Sequence, residues 1–563
     1  MASAKTRHVS NPCPQIEIHS EEKLEFTKTE IKWMCGDAGN KAWSVIPPWQ
    51  ARFFLKSFLQ QRAYHHPKFT IDGNNLIVEA GDRTLLQEWT FLNAPPSFNA
   101  EKRRKMKGRP LTPELLNEVE AWSKTRLQNL GYACPEVTTQ AFPDKGSVVV
   151  DLTPGDPYNF PTAETFAIRG TERSIYLDRY RAFLPGQKYD ARLLQLTANR
   201  MILDEYHLSS YFDTRCSAEG VEIIPRLVTG DPHLVSAGAG FNTEVGAIGL
   251  VRYRHTQMNE AGSSFESKLY VSLVEQSLEN SFQIYDGPPY RDRTYWSPQL
   301  NFKNELESTY KSFTTDVGLR WGITKEFEEF SSRFQLGPFY TYNNVETDTN
   351  VQVLRTVTST AEVSLQSHDY EYYAAEPRAG WIFSTNIRSA YEGLGADQTF
   401  HQWVYQHQIL WNYSDWDPPL VVFGWRFKAG TFLMTDDTVF TDVVPENLRF
   451  YLGGDSSLRG FSRKQIPFTG EGSATFLYQG FEIRAGDVFP YKLQPFIFLD
   501  MAWESAKSLT LSKTLYYSPG IGIRWPSFIG PIRASISQGQ TLWTDQVDIP
   551  VHWQGYLSLG REF

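Results

Sequence analysis

The sequence predicts small α+β modules followed by an all-β barrel that crosses a membrane. One pattern of strands and a helix recurs three times between positions 22 and 233, with a period of about 70 residues. From position 234 onward helical periodicity disappears, and successive segments of about ten residues alternate between apolar and polar side chains. Aromatic residues make up 14% of the chain, as expected for membrane-spanning strands with aromatic residues at both membrane interfaces.

The composition excludes a helical membrane protein. Only 41% of the 563 residues are hydrophobic, and no run approaches the ~20 apolar residues that a spanning helix needs. A net charge of -9 disfavours a nucleic-acid-binding protein, which usually has a basic face. Residues 1–13 lack the apolar core of a secretory signal. If the chain is exported, we expect a mature chain with an added start or an incomplete sequence.

The four cysteines, Cys13, Cys35, Cys134 and Cys216, all precede the predicted barrel. An even number permits disulfides in an oxidising compartment. Cys13 with Cys35 is the pair that proximity favours, and Cys134 with Cys216 would link two modules. Buried free thiols are an equally good interpretation.

The first repeat is expected at residues 22–82, after an N-terminal extension at residues 1–21. Residues 23–33 alternate as a strand, and residues 48–62 read as a helix with four aromatic residues at helical spacing. These are Trp49, Phe53, Phe54 and Phe58. A hairpin with an Asp-Gly-Asn-Asn turn completes the repeat.

The second and third repeats are expected at residues 83–155 and 156–233. In the second, Thr112 reads as an N-cap, Pro113 as the first helical residue and Gly131 as the stop. The third contains a strand at residues 160–169, a helix, and a final pair of strands. A single α+β domain is the alternative to three modules.

The barrel prediction, for residues 234–563, depends on strand length and succession. Alternation alone would also suit a soluble β-sandwich. Long segments that follow one another without helices favour tilted spanning strands, and in a membrane only a closed barrel pairs every backbone group.

The segment 447–461 reads Asn-Leu-Arg-Phe-Tyr-Leu-Gly-Gly-Asp-Ser-Ser-Leu-Arg-Gly-Phe. Gly453 and Gly454 permit positive φ angles, and Arg459 lies beside a glycine at what we interpret as the tip of a loop. Later strands carry Glu482 and Asp500. A carboxylate in an apolar strand must face a polar lumen or be paired, so these residues are candidate partners of Arg459.

This combination resembles the signature of the BamA/TamA superfamily of outer-membrane assembly barrels. The resemblance implies that the sixth extracellular loop folds into the barrel lumen, with Arg459, Gly460 and Phe461 at its tip. It also implies that Asp500, on the thirteenth strand, pairs with Arg459, and that Glu482 is a second lumen carboxylate. Five strand-like segments follow the tip, so placing the loop after the eleventh strand gives a barrel of 16 strands.

The sequence departs from that signature at Ala502, where the superfamily usually has glycine. The three repeats resemble polypeptide-transport-associated (POTRA) modules, whose sheets have edge strands that can accept an extended segment of another chain. Three modules and a short tip loop are more similar to TamA than to BamA. The resemblance therefore implies a TamB-like inner-membrane-anchored partner, bound through POTRA 1 in the periplasm.

The resemblance further implies a lateral gate between the first and last barrel strands, unfolded outer-membrane protein clients, and contact with outer-membrane lipids. Glycines that would weaken this gate are Gly238, Gly240, Gly555 and Gly560. The terminal Phe563 resembles the end of the signal by which Gram-negative outer-membrane barrels are recognised for insertion.

No motif of an enzyme is evident. The chain lacks a Gly-x-Ser-x-Gly elbow and a His-Glu-x-x-His zinc helix, so we expect neither catalysis nor a cofactor or metal. The predicted function is insertion of β-barrel proteins or autotransporters into the outer membrane. Alternatives are a passive porin-like channel and an outer-membrane anchor of a lipid-transfer bridge.

Overall fold

The computed structural model describes residues 8–37, 46–162, 177–259, 261–285, 293–348, 350–433, 440–527, 530–542 and 551–560. The chain forms two compact units. One comprises residues 1–158 and 189–191, and the other comprises residues 159–188 and 192–563. None of the helices in the described ranges is long and apolar enough to cross a membrane.

The first unit begins with a four-stranded mixed sheet in the order β1-β2-β4-β3. Its elements are β1 (His8–Cys13), β2 (Ile16–Ser20), α1 (Lys28–Cys35), α2 (Pro48–Gln61), β3 (Lys68–Asp72) and β4 (Asn75–Glu79). Both helices contribute to the core of this sheet through Met34, Leu55 and Leu59. A disulfide joins Cys13 in β1 to Cys35 in α1. No free cysteine occurs in the described residues, and the pairing of Cys134 with Cys216 stays a prediction.

This sheet differs from the sequence prediction at two places. Residues 8–20, expected in an extension, form β1 and β2, because Ile16 and Ile18 alternate into the core and are fully buried. The strand expected at residues 23–33 is wrong, because no strand forms there and α1 begins at Lys28. Thr27 accepts a hydrogen bond from the Glu30 backbone N–H at 3.2 Å, and the Glu30 carboxylate accepts one from the Thr27 N–H at 2.7 Å. This capping box starts a helix where the apolar alternation suggested a strand.

A second, three-stranded sheet follows in the order β5-β7-β6. Its elements are β5 (Glu88–Leu92), α3 (Pro113–Asn129), β6 (Glu136–Phe142) and β7 (Ser147–Thr153). The predicted helix start is confirmed, since Thr112 caps α3 by accepting from the Leu115 N–H at 3.3 Å. Trp122 of α3 stacks on Trp89 of β5 and completes an aromatic core.

The second unit opens with the third module. It contains α4 (Leu177–Tyr180), α5 (Ala191–Leu203), β8 (His207–Ser217) and β9 (Gly220–Thr229). β8 and β9 form a two-stranded antiparallel sheet. Most of the strand predicted at residues 160–169 lies outside the described residues.

Sixteen antiparallel strands then form a closed barrel, which confirms the predicted fold class and strand number. The strands are β10 (His233–Asn242), β11 (Gly246–His255), β12 (Ser264–Val271), β13 (Glu275–Tyr285), β14 (Thr294–Leu306), β15 (Lys311–Glu326), β16 (Phe330–Glu346), β17 (Val351–Ser367), β18 (Gly380–Ala390), β19 (Phe400–Asn412), β20 (Val421–Leu433), β21 (Thr475–Ala485), β22 (Gln494–Ser505), β23 (Leu515–Ser527), β24 (Gly530–Leu542) and β25 (His552–Leu559). Two short helices, α6 (His368–Tyr372) and α7 (Phe440–Val443), lie in connections between strands.

The strands alternate in direction, so their connections form two rims. The chain enters the barrel from the third module at the lower rim, where α6 follows β17. The upper rim holds the turn after β10, the turn between β14 and β15, and the connection between β20 and β21. We call residues 440–474 of that last connection the lid loop.

Candidate functional site

The lid loop folds into the barrel, and Arg459 at its tip is fully buried against the fully buried Asp500 of β22. Arg459 Nε donates to Asp500 Oδ2 at 2.7 Å, and Nη2 donates to Oδ1 at 2.9 Å. The Arg459 backbone N–H also donates to Oδ2, at 3.2 Å. This bidentate, charge-assisted geometry fixes the direction of the guanidinium as well as its position.

Neighbouring side chains complete the environment of this ion pair. Glu482 Oε2 accepts from Arg459 Nη1 at 3.2 Å and from Arg533 Nη2 at 2.8 Å. The Tyr478 hydroxyl donates to Asp500 Oδ1 at 3.0 Å, and the ring centroid of Phe498 lies 3.3 Å from the Arg459 guanidinium carbon. Buried charges are tolerated only when opposite charges and hydrogen bonds compensate them, and this arrangement supplies both.

Gly460 and Phe461 are packed as tightly as Arg459. A Cβ on Gly460 would lie 2.4 Å from the Gly539 Cα in β24, so no side chain fits there. The Gly460 N–H donates to Ser518 Oγ at 2.8 Å. Phe461 is fully buried, and its ring packs edge-on against Tyr516. The loop tip therefore rests against the wall formed by β22 to β24.

Gly453 and Gly454 allow the lid loop to turn back on itself. Both have positive φ angles, +110° and +99°. A Cβ on Gly453 would lie 2.1 Å from the Ser462 carbonyl oxygen, and one on Gly454 would lie 2.3 Å from a Glu244 carboxylate oxygen. Only glycine meets both the conformation and the space at these positions.

A second anchor of the lid loop lies at the upper rim, and the sequence analysis did not identify it. Arg463 Nη2 and Lys464 Nζ lie 2.8 and 3.0 Å from Glu307, in the turn between β14 and β15. Burial alone would raise the pKa of the Glu307 carboxyl, but the hydrogen bond from Arg463 and the charge of Lys464 bring this pKa below its usual value. The carboxylate is therefore charged and paired near neutral pH.

The seam between the first and last barrel strands is short in the described residues. β10 pairs with β25 only through Phe241 with Leu559 and Asn242 with Ser558. By contrast, β10 pairs with β11 along its whole length. Gly238 and Gly240 lie in β10 and Gly555 in β25, whereas Gly560 follows the end of β25. Phe563 lies outside the described residues.

The lid loop contacts both sides of this seam. The Asp455 N–H donates to Glu244 Oε1 at 3.0 Å, in the turn that follows β10. The Tyr556 hydroxyl of β25 donates to the Phe461 carbonyl at 2.7 Å, and Gln554 Nε2 donates to Ser462 Oγ at 2.9 Å. We call these three hydrogen bonds the seam bridge.

A family model for the Omp85 superfamily domain matches residues 259–548, which is just over half of the chain. The chain belongs to the Omp85 superfamily. This confirms the superfamily that the sequence resemblance indicated, and it places the barrel in the outer membrane of a Gram-negative bacterium.

A solved barrel structure with a TM-score of 0.50 supports the fold. The crystal structure of BamA from Haemophilus ducreyi lacking POTRA domains 1-3 is 14% identical, with a TM-score of 0.50, and the match covers 84% of this chain and 99% of that one. CdiB from Acinetobacter baumannii is 14% identical with a TM-score of 0.45, covering 92% and 98% of the two chains. CdiB from Escherichia coli is 12% identical with the same TM-score and coverage.

The lower rim of this Omp85 barrel binds the third module through a buried charge cluster. Arg200 of α5 lies 3.0 Å from Glu326, at the end of β15, and 2.7 Å from Glu371 of α6. His368 Nε2 is 2.6 Å from Glu326 Oε1. Asp204, just after α5, contacts Arg254 of β11. The third module is thereby joined to the strand next to β10.

The Omp85 barrel also encloses a cavity of about 330 Å³ beside the lid loop, lined mainly by polar and charged residues. Among the residues that the structure describes, no cluster of His, Cys, Asp and Glu has the arrangement of a metal site.

We predict that Arg459→Ala destabilises the barrel by roughly 3–5 kcal/mol, because it leaves the Asp500 carboxylate buried without its bidentate partner. Urea unfolding in detergent, followed by tryptophan fluorescence, measures this loss. Arg226→Ala is the matched control, because it breaks a half-exposed ion pair with Asp213. The control should cost far less, because solvent-exposed ion pairs contribute little to stability. Equal losses in the two variants would contradict a special role for the Arg459 ion pair.

We predict a pH-dependent contribution of Glu307 to lid-loop protection. A lowered carboxyl pKa means that the ion pairs are fully formed above the ordinary glutamate pKa and are lost only as the pH falls through the lowered value. Glu307→Gln should therefore speed hydrogen exchange at residues 453–470 at neutral pH. The difference from wild type should shrink on acidification below about pH 4. A difference that is independent of pH would refute this assignment.

Proposed function

We propose that the protein inserts β-barrel proteins or autotransporters into the outer membrane through a lateral gate between β10 and β25. The observation that carries this proposal is the short β10–β25 pairing in a barrel whose other neighbouring strands are paired over most of their length. Separating a strand pair with few ladder hydrogen bonds costs less free energy than separating one with many, because fewer hydrogen bonds must be replaced.

The composition of β10 supports the same mechanism. Residues 235–239 of this strand are exposed, and the strand contains Gly238 and Gly240, which provide no side-chain packing across the seam. A strand edge with unpaired N–H and C=O groups can accept an extended segment of another chain. An incoming client hairpin would gain ladder hydrogen bonds there, so insertion would proceed without ATP.

The lid loop would act as the brace of the closed gate. Its tip is anchored to β22 through Arg459 and Asp500, and its seam bridge reaches Glu244 on one side and Tyr556 on the other. Opening the gate would then require these hydrogen bonds to be exchanged for contacts with the client.

The modules would be periplasmic POTRA domains that dock partners and deliver clients. We propose that the first module binds a TamB-like inner-membrane-anchored protein at the edge strand β3. Four of the five residues of β3 are exposed, and it lies at the edge of its sheet, so β-strand addition is possible there. We disfavour a passive porin, because the buried lid loop fills part of the lumen that solutes would cross.

We predict that a disulfide across the seam abolishes insertion. Phe241→Cys with Leu559→Cys places two cysteines on directly paired residues of β10 and β25. Oxidation should stop assembly of a client barrel into liposomes, and reduction should restore it. The matched control is Val251→Cys with Leu269→Cys, on β11 and β12, which should insert clients whether oxidised or reduced. Normal insertion by the oxidised seam variant would exclude a lateral gate.

We predict that a photo-crosslinker at Ile71, an exposed residue of β3, captures a long inner-membrane-anchored protein in native envelopes. A crosslinker at Leu92 in the second module is the control. Capture of outer-membrane lipoproteins and nascent barrels instead would indicate a BamA-like role. Recovery of neither class would contradict the partner assignment and favour the channel alternative.

A further inference from the structure

Helix α2 has an aromatic and basic face that does not pack into the core of the first unit. The helix places Ala51, Leu55 and Leu59 in the core. On the opposite side lie four exposed residues with spacings of three, one and three positions. These are Trp49, Arg52, Phe53 and Lys56, which we call the outer face of α2. Trp49 is 68% exposed and Phe53 is 71% exposed, which is unusual for side chains of this size.

The outer face continues onto α1. Trp33 is 52% exposed, and its ring packs edge-on against Phe54 at 5.0 Å between ring centroids. Phe54 in turn packs against Phe53 at 5.7 Å. The aromatic side chains are therefore contiguous rather than scattered, and contiguous exposed apolar patches mark interaction surfaces.

Within the part of the chain that the structure describes, Arg52 and Lys56 of the outer face form no ion pair with a carboxylate. Helix α2 contains no acidic residue. The nearby carboxylate of Glu30 in α1 is already paired with Arg62. Arg52 lies 5.3 Å from the ring centroid of Phe69, a contact that leaves its charge exposed. The patch is thus positively charged as well as aromatic.

We propose that the outer face of α2 docks onto the headgroup layer of a bilayer that contains anionic lipid. Tryptophan and phenylalanine beside lysine and arginine on one helix face is the pattern of interfacial membrane binding. The face is the convex side of a helix, so its aromatic side chains can enter the interface while Arg52 and Lys56 reach lipid phosphates. This surface consists of residues of α1 and α2, and it adjoins β3 through the contact of Arg52 with Phe69.

The test uses the full chain in phosphatidylcholine nanodiscs, mixed with vesicles of phosphatidylcholine alone or of an equal mixture with phosphatidylglycerol. Flotation measures binding. Wild type should bind the mixed vesicles roughly 30-fold more tightly than vesicles of phosphatidylcholine alone, as expected for two cations near an anionic surface. Added salt should reduce this difference in affinity, because it screens the charges. Arg52→Gln with Lys56→Gln should bring binding to the mixed vesicles down to the neutral-lipid level.

Trp49→Ala with Phe53→Ala should abolish binding to both kinds of vesicle. Because all four residues are exposed, these variants should retain wild-type unfolding and client insertion, which separates this proposal from the proposed gate. Leu92→Ala with Phe142→Ala, on exposed positions of β5 and β6, is the matched control and should bind like wild type. Equal binding to the two vesicle types, or wild-type binding by the variants, would overturn the proposal. Association of two nanodiscs through this face, without binding to vesicles, would also overturn the proposal. The face would then bind a second copy of the chain and not a bilayer.

Discussion

The position of the lid loop depends on the ion pair between Arg459 and Asp500. A fully buried arginine is stable only with a fully matched partner, and Asp500 accepts from its side chain and its backbone N–H at once. Gly460 then allows the loop to lie against β24 at a distance that no other residue permits. With the tip held there, the carbonyl of Phe461 reaches the Tyr556 hydroxyl of the last strand.

This anchoring places the lid loop across a seam where the described strand pairing is short. The described backbone pairing between β10 and β25 is short, so side-chain and loop contacts supply much of the attachment there. The seam bridge joins the lid loop to side chains of β25 and to Glu244 in the turn after β10. Its release would break no hydrogen bond of the strand ladders. At the opposite rim, the cluster around Arg200 and the contact of Asp204 with Arg254 join the third module to β11, the neighbour of β10.

Much of this could be predicted from the sequence, for reasons that particular residues illustrate. Strand alternation and aromatic content indicated the barrel, and the arginine-glycine-phenylalanine tip indicated the superfamily. Asp500 stood out because a carboxylate in an apolar strand needs a partner. Glu244 and Tyr556 did not stand out, because their residue types are ordinary and the chain separates them from the loop. At α2 the spacing of the aromatic residues predicted a helix but not its buried face, which consists of Ala51, Leu55 and Leu59 with Phe54 and Phe58 partly buried beside them.

We infer that the Arg459–Asp500 ion pair holds the seam closed through the lid loop. The most direct measurement is the distance between spin labels at Ala237 in β10 and Leu557 in β25, both exposed, by pulsed electron paramagnetic resonance. We expect one narrow distance distribution in the otherwise unmodified protein and an added longer population when Arg459 is replaced by alanine. An unchanged distribution, in a variant whose lid loop has become sensitive to protease, would contradict the account.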